Sequence, residues 1–401
     1  MLIEFKFKNF LSYKDEVTFS MTKIKSFKEL SDNNIIETKF FDLLKAGAIF
    51  GSNGGGKTNF IGAMGFMKNV IHNSFAESLK KEEDRGRKDY YFKLSEVSIN
   101  DPAFFEVSFI KNDILFRYGF EIKGFEIVSE WLTQKNETET SLFYRKNNNF
   151  KINATSFAEG NKYKNNVNSN VLFISHLAQN NGKVASTIFE WFENLNAVSG
   201  LINNHYKNVT KELIKTDIKF RNWLAVAVKF LNITNVTTNS DDNIITYHNK
   251  YDKNEIIVDS IPFNLESDES EGTIKLVYIL GAIYDTLING KVMFIDELDS
   301  KLHPNLTKKL ITFFHKLNFK KAQFIFTAHD SILLDKELFR RDQIWFVDKN
   351  KFSSSQLYSL SEFNASTVRN TSDFRKKYLE LNFGAANSIE LSNQLIELMY
   401  V

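Results

Sequence analysis

The 401-residue sequence predicts an α/β fold in which a parallel sheet carries a phosphate-binding loop. The run "LLKAGAIF" at 43–50 is short, apolar and rich in small residues, and a glycine-rich loop and a helical pattern from Asn59 follow it. Two more apolar runs, "KVMFIDE" at 291–297 and "AQFIFTAHD" at 322–330, are separated by a helix. Apolar strands that alternate with helices are typical of a parallel sheet.

Composition restricts the class of protein. Lys and Arg number 51 against 49 Asp and Glu, so the net charge of +2 creates no field that would attract polyanions. The absence of cysteine excludes disulfides, thiolate zinc sites and cysteine nucleophiles. The start "MLIEFKFKNF" has no apolar signal region, and no stretch approaches ~20 apolar residues. We therefore expect a cytoplasmic protein without a membrane partner.

An antiparallel flank is predicted beside the parallel sheet. Apolar and charged residues alternate from Ile3 to Lys8, and "EVTFSM" follows a polar turn, which indicates two opening strands. Three further strands, "AFFEVSFI", "ILFRYGFEI" and "FEIVSEWL", are joined by tight turns between residues 103 and 132. They predict a meander.

The middle of the chain has a different character. Residues 145–170 are polar and rich in Asn and Lys, which predicts a mobile loop. Residues 171–235 carry apolar side chains at mixed spacings of three and four, which predicts a helical insertion. Strands return at "NIITYHN" and "NEIIVDS", and "TIKLVYILGAIYDTLING" predicts a long helix that ends at Gly290.

The glycine-rich loop has the strongest chemical signature. Residues 51–58, "GSNGGGKT", satisfy the pattern G-x-x-x-x-G-K-[ST] of phosphate-binding loops. Backbone amides in such a loop converge on a polyphosphate, and the following helix directs its positive end at the same charge. Lys57 is expected to reach the β and γ phosphates and Thr58 to ligate Mg²⁺. The predicted nucleotide-binding residues are Asn53, Gly54, Gly55, Gly56, Lys57, Thr58 and Asn59.

Two later strand ends carry candidate catalytic residues. Asp296 is predicted to hold Mg²⁺, and Glu297 to orient or deprotonate the attacking water. The alternative is an acidic strand end that caps the next helix. His329 ends the following strand, where open α/β sheets bind ligands, and its neutral ring could hydrogen-bond a γ phosphate. A purely structural His is the alternative there.

The order of these motifs resembles that in a known group of ATPases. A phosphate loop, a distant "SEGT" that opens a helix, "FIDELDSKLHP" and "FTAHD" resemble the ABC-type ATPase heads of the SMC, Rad50 and RecF kind. The chain is more similar to the AAA15/AAA21 family, which includes RloA and AbiLi-like proteins of phage-defence loci. "MLIEFKFKNFLSYKDEVTFSM", "FRYGFEI", "LLDKELFRRDQIWFVDK" and "ELNFGA" also resemble that family, so the likeness runs nearly end to end.

This resemblance implies an ATP-dependent homodimer, or a higher oligomer, with ATP and Mg²⁺ as cofactors. In such heads the signature of one subunit closes over the nucleotide of the other. The signature residues carried over by the motif are Ser270, Glu271, Gly272 and Thr273. Asp299 would lie at the dimer contact and His329 would be the switch histidine. Glu271 and Glu269 depart from the transporter-type signature. Carboxylates this close to a triphosphate would repel it unless they turn away. No glutamine is assigned to the Q-loop.

Three functions fit such a head. The first is a regulatory ATPase that transmits its nucleotide state to a separate effector, a toxin or nuclease, in phage defence. The second is a DNA-repair ATPase, for which a basic stripe of Lys211, Lys215, Lys219 and Arg221 is the best candidate surface, although the wet face of a helix explains it too. A nuclease of the OLD type is disfavoured because no Asp and Glu cluster on strand ends follows His329.

The sequence also suggests a division of the chain. Residues 1–135 are expected to form the N-terminal part of the ATPase head, 136–240 the polar loop and helical insertion, and 241–401 the C-terminal part of the head. His303 and Pro304 are interpreted as the structural start of a helix.

Overall fold

The computed structural model of the protein describes residues 1–81, 90–199, 204–364, 368–369 and 372–385, without side chains for 197–199 and 204–205. The strands in these residues are β1 (Leu2–Lys8), β2 (Val17–Ser20), β3 (Ile35–Ile36), β4 (Leu43–Leu44), β5 (Ala46–Gly51), β6 (Ala103–Lys111), β7 (Ile114–Lys123), β8 (Glu126–Lys135), β9 (Glu139–Lys146), β10 (Asn149–Ile152), β11 (Leu195–Ser199), β12 (Ile233–Thr238), β13 (Ile244–Tyr251), β14 (Ile257–Asn264), β15 (Val292–Asp296), β16 (Gln323–Ala328), β17 (Ile344–Lys349) and β18 (Ser355–Ser359). The helices are α1 (Ser31–Asn34), α2 (Lys57–Ser78), α3 (Ala158–Tyr163), α4 (Phe173–Gln179), α5 (Lys183–Glu193), α6 (Asn204–Thr216), α7 (Ile218–Val228), α8 (Glu271–Asn289), α9 (Pro304–Leu317) and α10 (Phe374–Leu379).

A mostly parallel sheet forms the centre of the head. Its strand order is β11-β15-β16-β5-β17-β18, and β18 alone among these strands runs antiparallel to its neighbour. The residues of β5, β15 and β16 are all buried, as expected for strands covered on both faces. The predicted α/β class is confirmed, and the ends of these three strands meet at one edge.

A seven-stranded antiparallel sheet, in the order β10-β9-β8-β7-β6-β1-β2, lies beside it. The predicted meander corresponds to β6, β7 and β8, and the two opening strands complete one side. Asn112 and Asp113 have φ angles of 53° and 56°, the pair of positive values that a tight hairpin turn requires.

Helix α2 packs between the two sheets. The ring of Phe60 lies 6.2 Å from that of Phe5 in the antiparallel sheet and 6.4 Å from that of Phe294 in the parallel sheet. The buried side chain of Gln323 also joins the sheets, since it accepts from the amide of Leu2 and donates to the carbonyls of Leu2 and Leu44. Helix α2 and the Gln323 side chain therefore link the two sheets.

The prediction of a mobile loop over 145–170 is wrong for much of that range. Strand β10 pairs with β9, and α3 follows. A polar sequence suits β10 because the strand lies at the edge of the sheet and leaves half of its side chains exposed. Arg145 is fully buried, and its guanidinium donates to the carbonyl of Val171 at 2.6 Å. The antiparallel sheet therefore continues past residue 135.

The predicted helical insertion contains a strand of the central sheet. The segment includes α4, α5, α6 and α7, but β11 lies between α5 and α6 and pairs in parallel with β15. Five residues are too few to interrupt a helical periodicity that is averaged over longer windows, so the sequence pattern hid this strand. Helices α6 and α7 pack against α8.

A small antiparallel sheet, β12-β13-β14, leads into α8, which ends at Gly290 in the left-handed conformation as expected. His303 caps α9 and Pro304 is its first residue, so their structural interpretation is confirmed. Among the helices that the structure describes, none has the length and apolarity needed to span a bilayer.

Candidate functional site

The phosphate loop joins β5 to α2 and depends on glycine at two close approaches. A Cβ atom at Gly51 would lie 2.2 Å from the carbonyl oxygen of Val347. Gly56 has a φ angle of 121°, and a Cβ there would lie 2.3 Å from Ser355 Oγ. Larger residues at either position would displace the loop, so the backbone shape is imposed by its neighbours.

Side chains distant in sequence hold the loop from outside. Ser355 Oγ donates to the carbonyl of Gly55 at 2.6 Å, and the hydroxyl of Tyr13 donates to the carbonyl of Gly56 at 3.1 Å. Asn59 Nδ2 donates to Ser12 Oγ at 2.8 Å. Two of these contacts occupy carbonyls of the loop, and the third holds the first turn of α2.

Lys57 lies under the loop with its ammonium group held in place. Its Nζ donates to the carbonyls of Gly51 and Ser52 at 2.7 and 3.0 Å and lies 3.3 Å from Nδ1 of His329. Burial lowers the pKa of Lys57 to about 8, against the opposing effect of the nearby carboxylates, Asp296 foremost. A bound phosphate would restore the ordinary preference for the charged ammonium.

The end of β15 places two carboxylates differently. Asp296 is buried, and its Oδ1 accepts from Thr327 Oγ1 at 2.6 Å. The same hydroxyl accepts from the amide of Glu297 at 2.7 Å. Glu297 has a φ angle of 51°, a left-handed conformation that costs about 1–2 kcal/mol for a residue with a Cβ. Such strain at a strand end is typical of functional sites.

Lys275 and Asp299 hold the turn that follows. Lys275 Nζ donates to the carbonyls of Glu297 and Ser300 at 2.8 and 2.6 Å. Asp299 Oδ2 accepts from the amides of His329 and Asp330 at 2.8 and 2.6 Å. The turn after β15 is therefore tied to both α8 and the end of β16.

His329 completes the group at this edge. Its Nε2 lies 3.6 Å from Oε1 of Glu297, while its Nδ1 faces Lys57. The imidazole therefore stands between an acidic side chain that directly follows β15 and a basic side chain on the first turn of α2. Lys57 and His329 are 272 residues apart in the sequence. The fold brings them together with Glu297, at the sheet edge where the sequence predicts them.

The predicted signature lies at the start of α8. Ser270 Oγ accepts from the amide of Thr273 at 3.2 Å, and a Cβ at Gly272 would lie 2.9 Å from the carbonyl of Lys301. Glu271 forms an ion pair with Lys301 at 3.0 Å. Glu269 contacts Thr246 Oγ1 at 2.6 Å and His248 Nε2 at 2.7 Å. Both carboxylates that depart from the transporter pattern are engaged by neighbours of their own chain.

A family model described as "AAA domain, putative AbiEii toxin, Type IV TA system" matches residues 48–335, which span every motif from the phosphate loop to His329. The chain belongs to this AAA family. No curated protein sequence matches it.

Solved structures extend the comparison. The SMC head bound to the C-winged helix domain of ScpA is 15% identical to this AAA protein, with a TM-score of 0.50 over 92% of this chain and 99% of that one. The SMC head domain from Thermotoga maritima is also 15% identical, with a TM-score of 0.45 over 89% and 98% of the two chains. The first of these shows that the AAA protein has the P-loop NTPase fold of an ABC-type ATPase head.

This family and fold imply a nucleotide and usually Mg²⁺, and the residues present fit that ion. Thr58 is exposed at the first turn of α2, and Asp296 supplies a carboxylate at the end of β15, which is separated from β5 by β16. Oxygen donors of this kind suit Mg²⁺, which takes its other ligands from phosphates and water. In the described part of the chain, no group of three or more His, Cys, Asp or Glu could hold a metal by itself.

Sequence reasoning missed the residues that support the site. No short motif assigns a supporting role to Thr327, Lys275, Ser355, Ser12 or Tyr13, because each acts on a segment distant from its own. Two weak clues were present. Lys275 is the first charged residue inside an otherwise apolar helix face, and Thr327 is the single hydroxyl in the buried run "FIFTA".

Proposed function

We propose that this AAA protein binds ATP with Mg²⁺, hydrolyses it, and uses the bound nucleotide to close two copies head to tail. The closed form is proposed to regulate a separate effector protein, a toxin or nuclease, in defence against phage. The observation that carries the proposal is the convergence of Lys57, Glu297 and His329 on one edge of the parallel sheet.

Each residue has a distinct proposed role. The loop amides from Asn53 to Asn59 would bind the phosphates, with the Lys57 ammonium on the β and γ groups. Thr58 and Asp296 would hold Mg²⁺, which neutralises phosphate charge when bound. Glu297 would accept a proton from the attacking water, and His329 would donate a hydrogen bond to the γ phosphate. The contact between His329 Nε2 and Glu297 supports this arrangement, because it places the base beside the phosphate sensor.

Closure of a dimer is proposed to involve the signature. The α8 amino terminus, with Ser270 and the amide of Gly272, would meet the γ phosphate bound at the partner's Lys57. Glu271 and Thr273 would flank this contact, and Asp299 would lie at the dimer contact. The ion pair between Glu271 and Lys301, and the contacts that hold Glu269, support the proposal because both reduce repulsion of the incoming triphosphate.

A protein effector is favoured over direct binding of DNA. Within the candidate basic stripe, Lys215 forms an ion pair with Asp242 at 2.5 Å, so part of the positive charge is neutralised. Head domains of this fold also bind separate proteins, as the SMC head bound to ScpA illustrates. DNA repair remains the alternative that the experiment must distinguish.

The test uses tagged Glu297→Gln protein, purified from its native host with Mg²⁺ and ATP, with Lys57→Ala as a matched control. Bound proteins and nucleic acids are identified together, and sedimentation measures the oligomeric state. The proposal expects a dimer and one dedicated protein with Glu297→Gln, and neither with Lys57→Ala. DNA recovered without a protein partner would contradict the effector role, and a monomer at saturating ATP would contradict closure.

A further inference from the structure

Lys275 is a buried lysine outside every motif of the site. It lies on the second turn of α8, is 4% exposed, and reaches the turn after β15. Its Nζ donates to the carbonyl of Glu297 at 2.8 Å and to the carbonyl and hydroxyl of Ser300, both at 2.6 Å. All three donors of the ammonium are thus directed at a single turn.

The conformation of Glu297 needs support from both of its peptide groups. A left-handed φ is unfavourable for glutamate, so the surrounding structure must over-determine it. Thr327 Oγ1 accepts from the Glu297 amide on one side, and Lys275 holds the Glu297 carbonyl on the other. Thr327 also bonds Asp296, whereas the Lys275 ammonium donates its hydrogen bonds to Glu297 and to Ser300 in the turn beyond it.

Lys275 also connects two parts of the proposed site. The same helix begins at Ser270 and Gly272, five and three residues before Lys275, and Gly272 packs against the carbonyl of Lys301. Displacement of the α8 amino terminus would therefore move the ammonium that holds Glu297. A charged side chain buried with all donors satisfied resists such displacement, because breaking one bond leaves an unpaired buried donor.

We propose that Lys275 is a positioning residue that directs the Glu297 carboxylate for hydrolysis and couples that direction to the α8 amino terminus. This inference rests on the proposed ATPase activity. Lys275 touches neither nucleotide nor water in this role, and it acts through the backbone of Glu297. Its removal should lower turnover while ATP binding, which depends on the phosphate loop, is retained.

The experiment compares Lys275→Met, which keeps the length of the side chain, with Lys275→Arg and with Lys291→Met. Lys291 is a suitable control because its ammonium contacts Asp285 near the opposite end of α8, at 2.8 Å, and its side chain is half-buried. For each variant, ATP affinity is measured by equilibrium binding, turnover by phosphate release, and thermal stability by calorimetry.

Lys275→Met should lower turnover at least tenfold and change ATP affinity less than twofold, and Lys275→Arg should restore part of the loss. Lys291→Met should leave both values within twofold of the wild type. Wild-type turnover is measured first, because a wild type that binds but never hydrolyses ATP would overturn the proposed ATPase activity and not the placement of Lys275. Unchanged turnover in Lys275→Met would overturn the positioning role.

A second measurement separates positioning from general damage to the fold. In a Glu297→Gln background, Lys275→Met should cause less than a twofold further loss, because the group that it positions is already gone. A full tenfold loss in that background, or a parallel loss of ATP affinity and melting temperature, would assign Lys275 a structural role and overturn the inference.

Discussion

The phosphate loop and the turn after β15 face the same edge of the parallel sheet, yet they are held in different ways. At Gly51 and Gly56 the loop has no room for a side chain, because Val347 and Ser355 approach the backbone directly. The turn at Glu297 is held by side chains instead, with Thr327 and Lys275 on its two peptide groups. The proposed nucleotide binding therefore depends mainly on steric fit, with polar contacts in support, and the proposed turnover depends on polar side chains alone.

The greatest loss of turnover should come from a change in the turn after β15. Glu297→Gln removes the proposed base but keeps the size of the side chain, so turnover should fall by about 10²–10⁴-fold. ATP affinity, measured by equilibrium binding, should stay within twofold. Turnover at the parental rate would show that Glu297 is not the base, and loss of binding would break the separation between the two regions.

Gly56→Ala tests the loop. The new Cβ would meet Ser355 Oγ at 2.3 Å in a backbone conformation that alanine disfavours, so ATP affinity should fall by about 100-fold for a cost of about 3 kcal/mol. Gly62→Ala is the matched control, since no atom from another segment or side chain lies within 4 Å of a Cβ there and Gly62 lies in α2, the helix that Gly56 caps. Equal affinity losses in the two variants would contradict the steric explanation.

Ser355→Ala tests a single polar contact to the phosphate loop. It removes the hydrogen bond to the Gly55 carbonyl and should weaken ATP affinity by about fivefold, for a typical net contribution of about 1 kcal/mol. Ser359→Ala, at the other end of β18, serves as the control. If Ser355→Ala changes turnover and leaves ATP affinity unchanged, Ser355 does not act through the phosphate loop and the prediction is wrong.

The last prediction concerns pH. Burial lowers the pKa of Lys275 to about 8, so between pH 8 and 10.5 the unfolded chain binds more protons at this residue than the folded chain does. The wild-type free energy of unfolding, relative to that of Lys275→Met, should therefore rise over this interval by at most about 1.4 kcal/mol per pH unit. Urea unfolding at pH 8 and 9.5 measures it, and a falling difference would contradict the burial of a charged ammonium.

The same comparison explains what the sequence could predict. The phosphate loop is contiguous, so its residues and the strand and helix on either side follow directly from the pattern at 51–58. Lys275 and Thr327 bond Glu297 across 22 and 30 residues, and Ser355 bonds Gly55 across 300. No local pattern therefore contains both partners of any of these contacts. Their roles become visible only when the strands are placed side by side.

The fold shows a similar limit. Alternating apolar and polar residues and tight turns predict strands β6, β7 and β8. Strand β11 lies between helices and pairs with β15, which is remote in sequence, so no local pattern predicts it. The polar composition of residues 145–170 predicts a loop, whereas β10 within that range is an edge strand, which needs few apolar residues. Local patterns therefore identify elements with many local contacts better than elements defined by a distant neighbour.

The Gln323 side chain has a consequence for how the protein melts. One amide pairs with both peptide groups of Leu2 and with the carbonyl of Leu44, much as another strand would. Neither layer can therefore separate from the other without exposing buried polar groups. On heating, the two sheets are expected to lose structure together, so probes in either sheet should report the same melting temperature. If the chain were divided near residue 135, Gln323 would lie in one fragment and Leu2 and Leu44 in the other, so each fragment alone would lack these hydrogen bonds. The two fragments would therefore need to be produced together.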